Sequence, residues 1–391
     1  MFASARIAEL VAGASTRRAR TATALVFAVH GAVAGSFATR IPWIRDRLDL
    51  GAGALGLALL VPAVGALLAM PATGALVHRV RGRTITRVLI GGFCVALALP
   101  ALAPSLGRLC LALLVFGALS GMADIAMNTQ GVLVEERVGR SIMSGLHGLW
   151  SVGGIVGSAI GALAAHADVD ARVHLGAMAF VLLMVSLIAC RGLLEAAPDT
   201  APDPPRLAWP SRPVLAIGAV GFGAVFAEGA SADWCAVYLH DVMGSAPGTA
   251  AVAYTGFAAA MAAGRLRGDA AVRRIGPVQA VRIGGLLAAA GALLVVLART
   301  PALGIVGFAL IGLGIATVVP LAFAAGGRAV PHAGQGIAAV ATVAYGAGLA
   351  APGAIGAIAD VASLPAAFVV VAVLTGLVSA GAGALRPTGQ G

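Results

Sequence analysis

The chain has 391 residues, of which 60% are apolar and only 11% charged, with a mean hydropathy of +0.97. A soluble protein of this length needs far more charge to cover its surface, so the composition excludes a soluble globular domain and makes the chain a polytopic membrane protein. The net charge of +10 does not signal nucleic acid, because all 26 basic residues are arginines in short clusters between apolar runs, not on one polar face.

The first twenty residues are polar and basic. The run after Arg20 predicts a transmembrane helix and not a cleaved signal, since many more spans follow it. At about 20 apolar residues per crossing, twelve spans are predicted: 22–42, 53–77, 86–104, 109–134, 142–165, 173–191, 213–239, 249–266, 278–298, 302–325, 336–359 and 366–385. With the N-terminus inside, twenty arginines fall in inner segments and five in outer ones, with Arg40 at a boundary. That asymmetry orients the chain in the cell (inner) membrane with both termini cytoplasmic.

Span one carries His30, a candidate titrating group near neutral pH whose alternative is a packing role. Arg40 lies two residues before Pro42 at the outer end of this span. It either snorkels to the interface, binds an anionic solute or pairs with an acid. Trp43 just beyond reads as an interfacial anchor. The basic loop after span two holds Arg79, Arg81 and Arg83. Together with Glu135, Glu136 and Arg140 after span four, these predict ion pairs that latch the inner end; a solvated orientation signal is the alternative for the arginines alone.

Span four holds the run GMADIAMNTQGVLVEE from Gly121, where Asp124 is the only formal charge before Glu135. Gly117, Gly121, Asp124 and Asn128 fall on one helical stripe, which predicts glycines against a neighbouring helix and the polar pair continuing that face inward. An ionised side chain at the bilayer centre costs at least ~2.5–3.5 kcal/mol, so Asp124 is read as a proton or substrate group, or else as a structural hydrogen bond to a neighbouring helix. Span five adds His147 and Trp150 on one face. Ser141, Ser144 and Ser151 nearby invite a membrane-embedded hydrolase, but there is no GxSxG elbow and no triad acid.

The stretch LLEAAPDTAPDPPRLAWPSRP, from Leu193 to Pro213, is too rich in proline and acid to span and reads as a cytoplasmic linker. It divides the chain into an N-terminal bundle (1–191), a linker (192–212) and a C-terminal bundle (213–391). Span seven carries Glu228 near its centre, with Asp233 and Trp234 nearer its outer end. The loop after span eight carries Asp269 with Arg273 and Arg274, a second candidate latch. In span eleven GAGLAAPGAIGAI, from Gly346, repeats SVGGIVGSAIGAL, from Ser151, at an offset of 195 that places Trp150 on Tyr345 and Gly161 on Gly356. Trp150, Trp234 and Tyr345 are candidates to stack on a solute, with packing as the alternative. Four single cysteines read as buried thiols. The scattered histidines make no metal site, and no cofactor is expected.

The 6+6 plan and the basic loop after span two resemble the major facilitator superfamily across nearly the whole chain. HGAVAGSFATRIPWI, ADIAMNTQGVLVEE, GRSIMSGLHGLWSVGG and EGASADWCAVYL further resemble bacterial facilitators related to fucose–proton symporters. The resemblance implies an all-α membrane fold of twelve helices in two pseudo-symmetric six-helix bundles, with Asp124 and Glu228 facing each other from the two halves. Two departures stand out. His78 occupies the place of the loop's usual acid, and Ala38 that of the acid of span one in fucose-type transporters. The expected function is a proton-coupled symporter, acting by alternating access as a monomer in the lipid bilayer on a small polar solute such as a sugar or sugar derivative. The alternative is a proton-driven efflux antiporter of amphipathic compounds, against which the proline-free, glycine-rich span five weighs. An enzyme is not expected.

Overall fold

The computed structural model describes residues 2–50, 52–80, 82–195, 210–245 and 247–386. Most of the linker, including 196–209, lies outside them. The described chain is helical throughout, in the order α1 (Phe2–Ala38), α2 (Ile41–Arg47), α3 (Ala52–Arg79), α4 (Gly82–Ala96), α5 (Leu99–Leu102), α6 (Leu106–Val138), α7 (Met143–His166), α8 (Ala171–Ala189), α9 (Arg212–Asp241), α10 (Pro247–Leu297), α11 (Pro301–Ile315), α12 (Val318–Arg328), α13 (Ala333–Val361) and α14 (Leu364–Gly381).

Among the described residues, ten helices are long and apolar enough to cross a membrane. One of them, α10, holds two spans, because Gly276 breaks it with φ 78 and ψ 162, just before Pro277. A positive φ suits glycine and the following proline cannot continue the ladder, so the break falls between the predicted spans eight and nine. The apolar part of α3, Leu57–Thr73, is shorter and interrupted by Pro62 and Pro71, and it supplies span two. With those two adjustments the crossings among the described residues number twelve.

Local chemistry sets the ends. Gly139, with φ 68, closes α6 by donating to the carbonyls of Glu135 and Glu136, the left-handed stop that separates spans four and five. Asp170, Thr300 and Ser363 cap α8, α11 and α14 through side-chain acceptors.

The chain resolves into two compact units, Met1–Ile142 with Leu149–Leu207, and Met143–Gly148 with Ala208–Gly391. Helix α7 is thus divided, its first six residues clustering with the second unit. The first unit is centred on rings: His30, Phe93, Phe116 and Phe37 follow one another at centroid distances of 4.6, 4.9 and 5.0 Å. The second has an edge-to-face trio of Tyr238, Phe308 and Phe368, with the Tyr238 hydroxyl donating to the Val295 carbonyl at 3.1 Å. The outward faces of both carry exposed leucines and valines such as Leu68, Leu163 and Leu297, the surface a lipid-facing helix requires.

Candidate functional site

In the first unit, the stripe on α6 divides as its chemistry suggests. A methyl group at Gly117 would fall on the backbone of Pro62, and one at Gly121 would meet Ala66 and Met70, so the glycines seat α6 against α3. Asp124 and Asn128 continue that face and are both buried. The Asn128 amide donates to the Asp124 carbonyl at 2.9 Å and to its carboxylate Oδ1 at 3.1 Å. The i, i+4 spacing makes this contact possible, and it holds the carboxylate in one direction.

His30 is held at both nitrogens. The Trp150 indole donates to Nδ1 at 2.9 Å, which places the ring proton on Nε2, where it is donated to the Ser120 carbonyl at 3.1 Å. A further proton on Nδ1 would confront the indole N–H. The geometry is therefore that of a neutral packing histidine and works against proton carriage by His30. Trp150 is half-buried and serves as the donor in this bridge.

Arg40 does not snorkel. It is 3% exposed and donates from Nε to Nδ1 of His174 at 3.0 Å. The end of α1 turns it inward because α8 presents an imidazole acceptor there.

In the second unit the central feature is an ion pair that the sequence does not announce. Arg265 on α10 is buried, and its Nη2 lies 3.1 and 3.2 Å from the two carboxylate oxygens of Glu228 on α9. Glu228 keeps 31% of its side chain exposed, against 6% for Arg265. The carboxylate is thus open to solvent or solute while its cation is fixed behind it. Asp233 is exposed one turn and a half further along α9, and a methyl group at Gly356 would lie 3.5 Å from the Trp234 ring.

Around the same turn of α10, the Ser144 hydroxyl donates to the Arg265 carbonyl at 2.7 Å. Asp269 accepts from the backbone amides of Ser144 at 3.1 Å and Gly145 at 2.8 Å. The first amides of a helix have no partner within it, and at the start of α7 they suit this carboxylate. Arg273 and Arg274 are exposed. His147, buried, stands 6.0 Å from the Phe323 ring, which meets Tyr345 edge-on at 5.9 Å.

Of the latch expected in the first unit, some members can be placed. Arg83 donates to the Leu193 carbonyl at 3.1 Å and lies 3.7 Å from Glu195, so it holds the start of the linker. Gln130 brackets Leu194, donating to its carbonyl and accepting from its amide, each at 3.1 Å. Glu135 accepts from the Ile142 amide at 2.9 Å and shapes the turn before α7. Glu136 and Arg140 are exposed. Arg81 and the side chain of Arg79 lie outside the described residues.

Sequence reasoning thus missed Arg265, His174, Gln130 and Phe323. Arg265 was legible only as an orientation signal and Gln130 as part of an apolar run. No group of three or more metal-binding side chains exists among the described residues.

A model of the Major Facilitator Superfamily matches residues 23–352. The chain is similar to an uncharacterised MFS-type transporter of Yersinia pestis, 38% identical over 369 residues, with 94% of this chain and 95% of the relative covered. It is 35% identical to an uncharacterised transporter of Sinorhizobium fredii, with 90% and 94% covered. It is 30% identical to the membrane protein MosC of Rhizobium meliloti, with 88% and 84% covered. Among solved structures it is similar to the transporter FucP in its outward conformation, with a TM-score of 0.75 and 14% identity over 94% of this chain and 98% of the other. The human organic anion transporter MFSD10 gives 0.73 and 16% over 94% and 99%.

Proposed function

The chain belongs to the major facilitator superfamily, and from that premise we propose that this multi-pass membrane transporter is a proton-coupled symporter of a small polar solute, a sugar or sugar derivative. The observation that carries the reading is the pair of a half-exposed Glu228 and a buried Arg265. Glu228 takes the proton from water, and neutralising it removes the charge from one side of its pair with Arg265. The contact between α9 and α10 is then weaker, so protonation shifts the balance between conformers that keep it and conformers that do not. Coupling needs such a difference and nothing more. The same turn of α10 holds the start of α7 through Arg265 and Asp269, which gives the proton a short path to a helix terminus. The Asp124 carboxylate, oriented by Asn128, supplies an acceptor for solute hydroxyls. Uptake runs inward from the outer side, with both termini cytoplasmic, and the monomer suffices.

The fucose–proton symporter FucP, similar in fold, supports this class of reading at the level of architecture. The test is transport in proteoliposomes under an imposed pH gradient. Glu228→Gln is expected to lose uphill accumulation while retaining solute counterflow, because exchange needs no net proton movement. Unchanged accumulation in Glu228→Gln would exclude it as the coupling group. Release of solute driven by the same gradient in the wild type would instead identify an antiporter.

A further inference from the structure

Where α8 ends, the first unit gathers arginines from three elements around the short turn Cys190–Gly192. Arg18 of α1 packs on this turn: a methyl group at Gly192 would lie 3.3 Å from the Arg18 Cγ. Arg87 of α4 is within electrostatic reach of Cys190. Arg191 belongs to the turn itself. The backbone that carries it is fixed, because Arg83 holds the Leu193 carbonyl at 3.1 Å and Gln130 brackets Leu194. Arg18, Arg87 and Arg191 are exposed and make no hydrogen bond or ion pair among the described residues, so three guanidinium forks are unused.

Positive charge is in surplus there. Residues 15–38 of α1 contain no acid, nor do α4, α8 or the turn. Glu195, next along, is held to Arg83 at 3.7 Å. On α6, more than a turn beyond Gln130, Glu135 accepts from the Ile142 amide and Glu136 is followed by Arg137. Asp199 and Asp203 of the linker lie outside the described residues. Each of the three arginines also ends an exposed apolar stripe. On α8, Phe180, Met184, Ile188 and Arg191 share one exposed face at helical spacing. On α4, Val95 and Val88 lead to Arg87, and on α1, Leu25 and Thr21 lead to Arg18. Ile188 is 64% exposed, Val88 61% and Leu25 43%. Such faces require acyl chains, and an arginine at the end of each stands where lipid phosphates lie.

We propose that Arg18, Arg87 and Arg191 form a binding site for an anionic phospholipid, its phosphate diester held by the guanidinium forks and its chains laid along the exposed faces of α4 and α8, which pack against each other. Continuity between the forks and the apolar stripes favours a lipid over a free anion. A zwitterionic lipid brings its own cation to a place already rich in cations, so the headgroup is one with net negative charge. Convergence on one braced turn makes this a single site and not three separate interfacial anchors. It uses neither Glu228 nor Arg265, so it stands or falls apart from the coupling reading.

The test uses the purified full chain, delipidated in a neutral detergent. Phosphatidylglycerol or phosphatidylcholine with the same chains is titrated in while melting is followed, and retained lipid is counted by native mass spectrometry. The expected result is one retained phosphatidylglycerol and a saturable rise in melting temperature, neither of which phosphatidylcholine reproduces. Arg87→Gln and Arg191→Gln should each weaken the apparent Kd about fivefold. Arg108→Gln makes the same charge change in the first turn of α6, ~33 Å from Gln130 along that helix, and should leave the Kd unchanged. Should either of the first two variants fail to fold, Arg18→Gln takes its place with the same expectation. No retained phosphatidylglycerol, equal retention of both lipids, or an equal loss in Arg108→Gln overturns the site. Dimethyl phosphate supplies the diester without chains; if it raises the melting temperature as phosphatidylglycerol does, the ligand is a free anion and the lipid assignment falls.

Discussion

The helix pairs α1–α7 in the first unit and α9–α13 in the second occupy equivalent places in the internal repeat, yet they pack at different depths. In the first pair, backbone meets backbone. A methyl group at Gly31 would fall on the Trp150 carbonyl and one at Gly153 on the Ala28 carbonyl, with Gly35 and Gly157 in similar contact with Gly154 and Ala32. In the second pair the glycines meet side chains or open space. An added methyl group would lie 2.8 Å from the Val343 side chain at Gly218 and 3.6 Å from Ala351 at Gly229, and at Gly346, Gly348 and Gly353 it would meet nothing within 4 Å. The register survives nonetheless. Thr39 stands against Gly161 and Trp234 against Gly356, and each partner is 195 residues from its counterpart. Duplication has preserved which residues face each other and relaxed how close they come. Lipid tails give two helices no hydrophobic reason to associate, so close backbone approach stabilises the first pair, while the second leaves room for Trp234 and Tyr345.

The largest expected effect comes from filling the tight contact. Gly31→Ala should cost about 3 kcal/mol or more, because the added methyl meets a carbonyl of another helix and not a movable side chain. Gly346→Ala, the same change in the second unit, should shift the melting temperature little or raise it, since alanine is the better helix former. Melting of the purified variants checks both. Equal losses would mean that the two pairs are equally close-packed and that the contrast between the units is wrong.

The architecture was readable from the sequence because it depends on quantities summed over many residues. Apolar run length placed the spans, and the Gly276-Pro277 step falls in the gap between the runs at 249–266 and 278–298. The Asp124–Asn128 contact was also readable, since an i, i+4 spacing on one helix brings two side chains together whatever surrounds it. Contacts between helices were not. Arg265 and Glu228 are 37 residues apart and His174 and Arg40 are 134 apart. Which faces of α8 and α10 turn toward α1 and α9 depends on helix rotation. In segments built of glycine, alanine and leucine all round, the apolar pattern barely specifies rotation. The arginines were therefore legible as charge, and their partners were not.

A middle-sized effect should separate the two helix starts that follow the span-four and span-ten segments. The first amides of α7 are held by Asp269, whereas His332 at the start of α13 makes no side-chain cap bond. Asp269→Ala should cost about 1–3 kcal/mol, the penalty for a lost charge-assisted pair of hydrogen bonds to buried amides. Asp269→Asn, which retains one acceptor but no charge at the helix terminus, should cost less. Alanine and asparagine variants that melt alike would show that the charge on Asp269 contributes nothing at this terminus.

The smallest expected difference lies at the repeat-related pair Trp150 and Tyr345. Trp150 donates its indole N–H to His30 across the close-packed pair, and His30 in turn spends its own N–H on Ser120. Trp150→Phe keeps a ring in place but leaves the buried Nδ1 of His30 without a donor, at a cost of about 1–2 kcal/mol. Tyr345→Phe keeps the edge-on contact with Phe323 and should lose less. Melting of the two purified variants checks this, and the comparison sharpens if the first loses the more. If both respond alike, the bridge through His30 is no more rigid than its relaxed counterpart, and the closeness of α1 and α7 does not depend on it.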